Sequence, residues 1–192
     1  MEEKEVKFLN VNKEELENKI AGLGATKEGD YFYKREVFDY PDFRLDKNGA
    51  WLRLRDEGNR ITLSYKQRLG IKSEDGSISD ESMKEVEIVV NDFEKTAVLL
   101  KELGFIEKHY AENKRTRWRK DGVEFDIDTW PALEPYLEIE SSTWEKVDEA
   151  IAWLGLDPKD KKIFSTNQIY KMKGMDIIDY IRLTFDGLVK RK

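Results

Sequence analysis

Charge falls at every second position along stretch after stretch of this chain, with apolar residues between, so a sheet built from it has one ionic face. Successive side chains of a strand point to opposite faces, so Glu3, Glu5 and Lys7 share one side while Val6 and Phe8 occupy the other. The alternation returns at Leu52-Arg53-Leu54-Arg55, Glu85-Val86-Glu87-Ile88, Arg115-Thr116-Arg117, Phe125-Asp126-Ile127-Asp128 and Leu137-Glu138-Ile139-Glu140. One such strand alone reads as half-buried with a solvated outer face. Taken together, the stretches sort by sign. The pairs Glu3/Glu5, Glu85/Glu87, Asp126/Asp128 and Glu138/Glu140 need cations nearby, while Arg53/Arg55 and Arg115/Arg117 need anions.

If the sheet curls into a closed or nearly closed barrel, the charged faces line a tunnel and the Leu, Ile, Val and Phe faces lie outward under helices. Desolvated, unpaired charges are costly, so such a tunnel is water-filled, internally paired, or occupied by a metal and a polyanion. Carboxylates suit hard cations such as Mg²⁺ or Mn²⁺, and Arg and Lys suit phosphate oxygens. The combination describes a site for a metal-bound oligophosphate.

The chain of 192 residues is long enough for one substantial core, and a single domain over residues 1–192 is expected. Charged and hydrophobic residues each make up 39%, which is charge-rich yet has enough apolar content to fold. A net charge of −6 gives the whole protein no electrostatic reason to seek nucleic acid or an anionic membrane. Without cysteine there is no disulfide, thiolate zinc site or thiol nucleophile. The start MEEKEVKF lacks the apolar core of a signal peptide, and no apolar run approaches the roughly 20 residues that span a bilayer, so a cytoplasmic protein is expected, monomeric or homodimeric.

Residues 2–9 read as a strand, and Asn12 with Glu15 offers a capping pair for a helix that ends at Gly24. Residues 31–40 form a second strand, and 50–55 with 60–66 a hairpin about Asp56-Glu57-Gly58-Asn59. Residues 67–80 read as an exposed loop, a candidate lid. A strand over 82–90 precedes a helix capped by Asn91 or Asp92 and ended by Gly104, which echoes the opening unit as a weak internal duplication. Strands at 105–111, 113–119, 123–129 and 135–141 are expected to form a meander, followed by a helix headed by Thr143 and a mostly helical segment over 157–192.

The ordered set of strand motifs resembles the CYTH superfamily, also called triphosphate tunnel metalloenzymes. It is carried by Glu3-x-Glu5-x-Lys7, Arg53-x-Arg55, Lys66 closing Thr62-Leu63-Ser64-Tyr65-Lys66, Glu85-x-Glu87, Arg115-x-Arg117, Asp128 and Glu138-x-Glu140, in family order over nearly the whole chain. The resemblance implies an α+β fold, an antiparallel eight-stranded β-barrel (the triphosphate tunnel) with helices packed outside. It implies that Glu3, Glu5, Glu138 and Glu140 hold Mg²⁺ or Mn²⁺, and that Asp128 assists the metal or positions water. Lys7, Arg53, Arg55, Lys66, Arg115 and Arg117 would clamp the phosphates of a triphosphate-containing small molecule, with Asp128, Glu85, Glu87 and Lys66 taking part in the chemistry. A triphosphate hydrolase is the leading expectation. A class IV adenylate cyclase and a non-catalytic polyphosphate or nucleotide sensor are the alternatives, since the same clamp serves all three.

His109, the single histidine, reads as an ordinary strand or loop residue. The five tryptophans read as packing residues, with Trp118 or Trp130 placed to stack on a base if near the site. Lys171 or Lys173 could help close the site, Asp126 shares the parity of Asp128, and Arg35 could join the inward cations.

Overall fold

Each alternating stretch among the described residues lies in a strand of a mostly antiparallel sheet, and helices follow the strands, which makes the chain α+β. The structure, a computed structural model, describes residues 4–69 and 83–191. Glu3 and most of the expected 67–80 loop lie outside the described residues. In chain order the elements are β1 (Lys4–Phe8), α1 (Lys13–Gly22), β2 (Thr26–Asp39), α2 (Arg44–Lys47), β3 (Ala50–Asp56), β4 (Ile61–Arg68), β5 (Met83–Val90) and α3 (Phe93–Glu102). There follow β6 (Ile106–Lys120), β7 (Val123–Thr129), β8 (Tyr136–Ser141), α4 (Trp144–Leu154), α5 (Thr166–Met172), β9 (Tyr180–Thr184) and β10 (Gly187–Lys190). No described helix is long and apolar enough to cross a membrane.

The chain divides into two units, one of Met1–Phe32 with Asn113–Asp179 and the other of Tyr33–Glu112 with Tyr180–Lys192. In the first, β1, β8, β7 and residues 113–120 of β6 are successive antiparallel neighbours. Asn12 caps α1 by accepting the Glu15 N–H at 3.2 Å, and Leu16 and Ile20 of that helix are buried. Thr143 caps α4 in the same way, and Gly155 ends it at φ 64°, a left-handed conformation that glycine adopts without a steric penalty. Val6 and Phe8, Leu137 and Ile139, and Phe125 and Ile127 pack beneath Leu16, Ile20, Val147, Ala150 and Ile151. Each such side chain contributes about 1.5–3 kcal/mol on burial, enough to forbid a one-residue slip of register. The charged residues are thereby held on the opposite face.

The second unit orders residues 33–39 of β2, then β3, β4 and β5, all antiparallel. Asp92, not Asn91, caps α3 by accepting the Lys95 N–H at 2.9 Å. The helix lays Phe93, Ala97 and Leu100, spaced by four and three residues, against Phe38 and Leu54.

Several expectations are corrected. The strands expected at 105–111 and 113–119 are one, β6, because Ala111-Glu112-Asn113 has no Gly or Pro to break it and its one turn-prone residue, Asn113, is fully buried within the sheet. β2 starts at Thr26, five residues before its expected beginning. The segment from Asp157 contains a short α5, but it also contributes the β9–β10 hairpin, and β9 runs parallel to β6 at Tyr110 and Ala111. The strands therefore number ten among the described residues, not eight. The expected closed barrel is not formed among them either, since β1 pairs only with β8 and β5 only with β4. On β1 the free edge is taken at Lys7, whose N–H donates to the Lys162 carbonyl at 2.8 Å and whose carbonyl accepts the Lys162 N–H at 2.9 Å.

Candidate functional site

On the polar face of the first unit the register sets charges in rows across four strands. Glu5 lies opposite Glu140, and Glu140 opposite Glu124. The next row runs Lys7, Glu138, Asp126, Arg117, and the third runs Tyr136, Asp128, Arg115. Lys7, Asp126, Asp128 and Glu138 are buried. The Lys7 ammonium pairs with Glu5 and, at 3.1 Å, with Glu138.

Arg115 is the hub of this face. Its Nε and Nη2 donate to the two oxygens of Asp128, both at 2.7 Å, Nη2 also donates to Glu138 at 2.5 Å, and Nη1 lies 2.6 Å from Asp126. Burial opposes its charge, but Asp128, Glu138 and Asp126 outweigh burial and hold the guanidinium well above its ordinary pKa. Arg117 grips Asp126 through Nε at 2.8 Å and Nη2 at 2.7 Å, and reaches Glu124 at 2.6 Å. Burial pushes the Glu138 carboxyl upward, and the charge of Asp128 adds to that push while Arg115 and Lys7 oppose it.

The second unit carries a different face. Arg53 lies opposite Ser64 and Arg55 opposite Thr62, and Arg35 of β2 opposes Arg55. Lys66 opposes Glu85 and pairs with it at 2.9 Å, while Glu87 is engaged by Arg60. Arg55 reaches Glu57 at 2.5 Å. The buried Nε of Arg53, Nε of Arg55, Thr62 Oγ1 and Ser64 Oγ have no hydrogen-bond partner among the described residues. Burial lowers the Arg53 pKa to about 10, and the adjacent Arg55 charge adds to the effect.

The structure thus gathers Glu5, Lys7, Arg115, Arg117, Asp128, Glu138 and Glu140 on one face, and Arg53, Arg55, Lys66, Glu85 and Glu87 on another. Glu124, Arg119 and Tyr136 belong to the first face but were missed. Strand parity could have found them, since Glu124 precedes Asp126 and Arg119 follows Arg117 by two residues. Thr62 and Ser64 share the parity of Lys66 and were likewise passed over. Trp118 is a core residue of the first unit, in keeping with its reading as a packing residue, and lies on the side away from the charges. His109 Nδ1 lies 3.0 Å from the Tyr180 carbonyl and Lys171 pairs with Asp176 at 3.0 Å.

No three acidic or histidine side chains among the described residues form a ready-made metal cage. Mg²⁺ seldom needs one, being bound by one or two carboxylates together with substrate phosphates and waters. The all-oxygen donors Glu5, Glu138 and Glu140 share one strand face, with Glu5 directly opposite Glu140, and fit such an ion. Asp128 fits it less well, because Arg115 takes both of its oxygens.

The chain is thus α+β, with antiparallel strands that carry sorted charge on one face and pack helices on the other. The chain belongs to the CYTH domain family, whose family model matches residues 1–163. It is 25% identical over 185 residues to a proposed adenylate cyclase, MJ0240 of Methanocaldococcus jannaschii, covering 96% of this chain and 97% of that protein. The PH1012 protein of Pyrococcus horikoshii OT3 is 27% identical with a TM-score of 0.60, over 84% of this chain and 94% of that one. HpAC1 of Hippeastrum, described as a proposed adenylyl cyclase with a dominant triphosphatase activity, shares the fold at 16% identity and a TM-score of 0.57, over 93% of this chain and 99% of that one.

Proposed function

We propose that this protein is a divalent-metal-dependent hydrolase of triphosphate compounds: inorganic triphosphate, thiamine triphosphate or a nucleoside triphosphate. The observation that carries the reading is Arg53, a guanidinium set beside that of Arg55, with a buried Nε that has no hydrogen-bond partner among the described residues and a charge disfavoured by burial. Such a group is stabilised by an oxyanion, and a guanidinium fork matches phosphate. Arg53, Arg55 and Lys66 therefore bind phosphoryl oxygens, and Glu85 orients the Lys66 ammonium.

Glu5, Glu138 and Glu140, with Glu3 by family resemblance, would hold Mg²⁺ or Mn²⁺. When bound, that ion supplies neutralisation of phosphoryl charge and an ordered water. Lys7 and Arg117 supply cations on the same face, and Arg115 fixes the spacing of Asp126, Asp128 and Glu138. In hydrolysis, water attacks the terminal phosphorus and gives up a proton, the bond to the bridging oxygen breaks, the diphosphate moiety departs with that oxygen and its electron pair, and orthophosphate is formed. Positioning and charge neutralisation account for most of the acceleration of such a step.

The name of the Methanocaldococcus relative favours a second reading, an adenylate cyclase in which the ribose 3′ hydroxyl attacks the α-phosphorus of ATP and pyrophosphate leaves. Product analysis separates the two. The protein is incubated with Mg²⁺ or Mn²⁺ and, in turn, triphosphate, thiamine triphosphate and ATP. Orthophosphate is the expected product, while cyclic AMP with pyrophosphate would establish the cyclase. Tight metal-dependent binding without turnover would overturn both and leave a sensor.

A further inference from the structure

Thr62 and Ser64 are fully buried on the same strand face as Arg53 and Arg55, and neither hydroxyl has a hydrogen-bond partner among the described residues. Native proteins seldom bury a hydroxyl unpaired, because desolvation is then uncompensated. Two such hydroxyls stand here in successive positions of one strand face, each directly opposite an arginine whose Nε is equally buried and unpartnered. All four groups are able to donate. The acidic residues nearest along the strands are already engaged, Glu85 by Lys66, Glu87 by Arg60 and Glu57 by Arg55. Among the described residues, what the face lacks is an acceptor for these four groups.

We infer that Ser64 and Thr62 are phosphate-binding residues, their hydroxyls donating from the sheet floor to phosphoryl oxygens that Arg53 and Arg55 hold from the side. The inference rests on the phosphate-binding reading of the two arginines. It adds a substrate preference. A guanidinium fork alone accepts a planar carboxylate as well as a phosphate, whereas donors arriving both in the guanidinium planes and from beneath them match the tetrahedral oxygens of a phosphoryl group. The lowered proton affinity of Arg53 agrees with a site whose anion is brought by the ligand and not by the chain.

The test compares the parent with Ser64→Ala, Thr62→Val and the double variant, with Arg53→Ala as a reference. Thermal unfolding of each is recorded without ligand, and binding of inorganic triphosphate and of citrate is measured by calorimetry in metal-free buffer. Removing an unpaired buried hydroxyl should leave the unfolding temperature equal or higher, while triphosphate affinity falls about tenfold per hydroxyl and citrate affinity is unchanged. These opposite signs distinguish a ligand donor from a structural one. A lower unfolding temperature, with or without a change in affinity, assigns the hydroxyls to the fold and overturns the inference. Unchanged triphosphate affinity in the hydroxyl variants, with loss in Arg53→Ala, overturns it while the arginine reading stands. Unchanged affinity in Arg53→Ala as well overturns both.

Discussion

Arg115 and Asp128 face each other across β6 and β7, joined by two hydrogen bonds of 2.7 Å, one to each carboxylate oxygen. Both groups are largely buried, so each neutralises a charge the other could not bear alone. Asp128→Asn should lower the unfolding free energy by on the order of 3 kcal/mol, the scale for breaking a buried pair. Denaturant titration in chelator and in Mg²⁺ should give the same loss. A loss confined to the metal-containing buffer would instead make Asp128 a ligand.

Glu138 and Glu140 are two residues apart and should respond differently. Metal affinity follows the number of ligand charges, so Glu140→Gln should raise the Mg²⁺ or Mn²⁺ concentration for half-maximal turnover by about tenfold or more. Its unfolding midpoint should move little, because Glu140 is only partly buried. Glu138→Gln removes the buried negative charge and one of the two oxygens that accept from Lys7 and Arg115, and should reduce both turnover and stability. Chelator should abolish turnover in the parent, and metal-independent activity would refute the carboxylate assignment.

On the apolar side of β2, Glu36 is buried opposite Leu54 and meets Lys101 of α3 at 2.8 Å. Burial pushes its pKa upward, with Glu107 adding to that push and Lys101 opposing it. Lys101→Ala should cost about 2 kcal/mol, less than for a fully buried pair because Lys101 is partly exposed. Adding Glu36→Leu should restore most of that loss. A double variant no more stable than Lys101→Ala would show that the carboxylate's burial is not the source of the cost.

His109 is the single histidine, so its imidazole proton resonance needs no assignment. Burial lowers its pKa below the usual 6.5, opposed by the Tyr180 carbonyl and assisted by the charge of Arg191. A group depressed in the folded state contributes stability above its unfolded pKa, and that contribution is lost as pH falls through the unfolded and then the folded value. NMR titration should therefore give a midpoint below 6.5. His109→Gln should flatten the stability loss in the acid range just below 6.5. A midpoint at or above 6.5 would refute the burial argument.

Strand parity with apolar burial accounts for most of the candidate site, because a face that packs Ile127 and Ile139 must turn Asp126, Asp128 and Glu138 the other way. Caps were equally legible where the capping side chain adjoins its helix, as at Asn12 and Thr143. What parity cannot express is which acceptor a donor meets. Thr62 and Ser64 read as ordinary polar strand residues, and their isolation is a tertiary property. The burial of Glu36 has no local signal either, since its partner Lys101 comes from a helix far along the chain. The β9–β10 hairpin had a local signal in Asp186-Gly187, but its strands are short and follow a helical stretch. Closure of a barrel depends on strand edges, about which side-chain patterns say little.

The reciprocal hydrogen bonds between Lys7 and Lys162 use amide groups alone. The backbone beneath the Lys7 ammonium is therefore anchored by a residue whose own side chain is irrelevant to the anchoring. Nearly any substitution at 162 should be silent at this contact, and proline, which lacks the N–H, should not be. A comparison of side chains would pass over position 162, yet it is a mechanical support for the cation between Glu5 and Glu138.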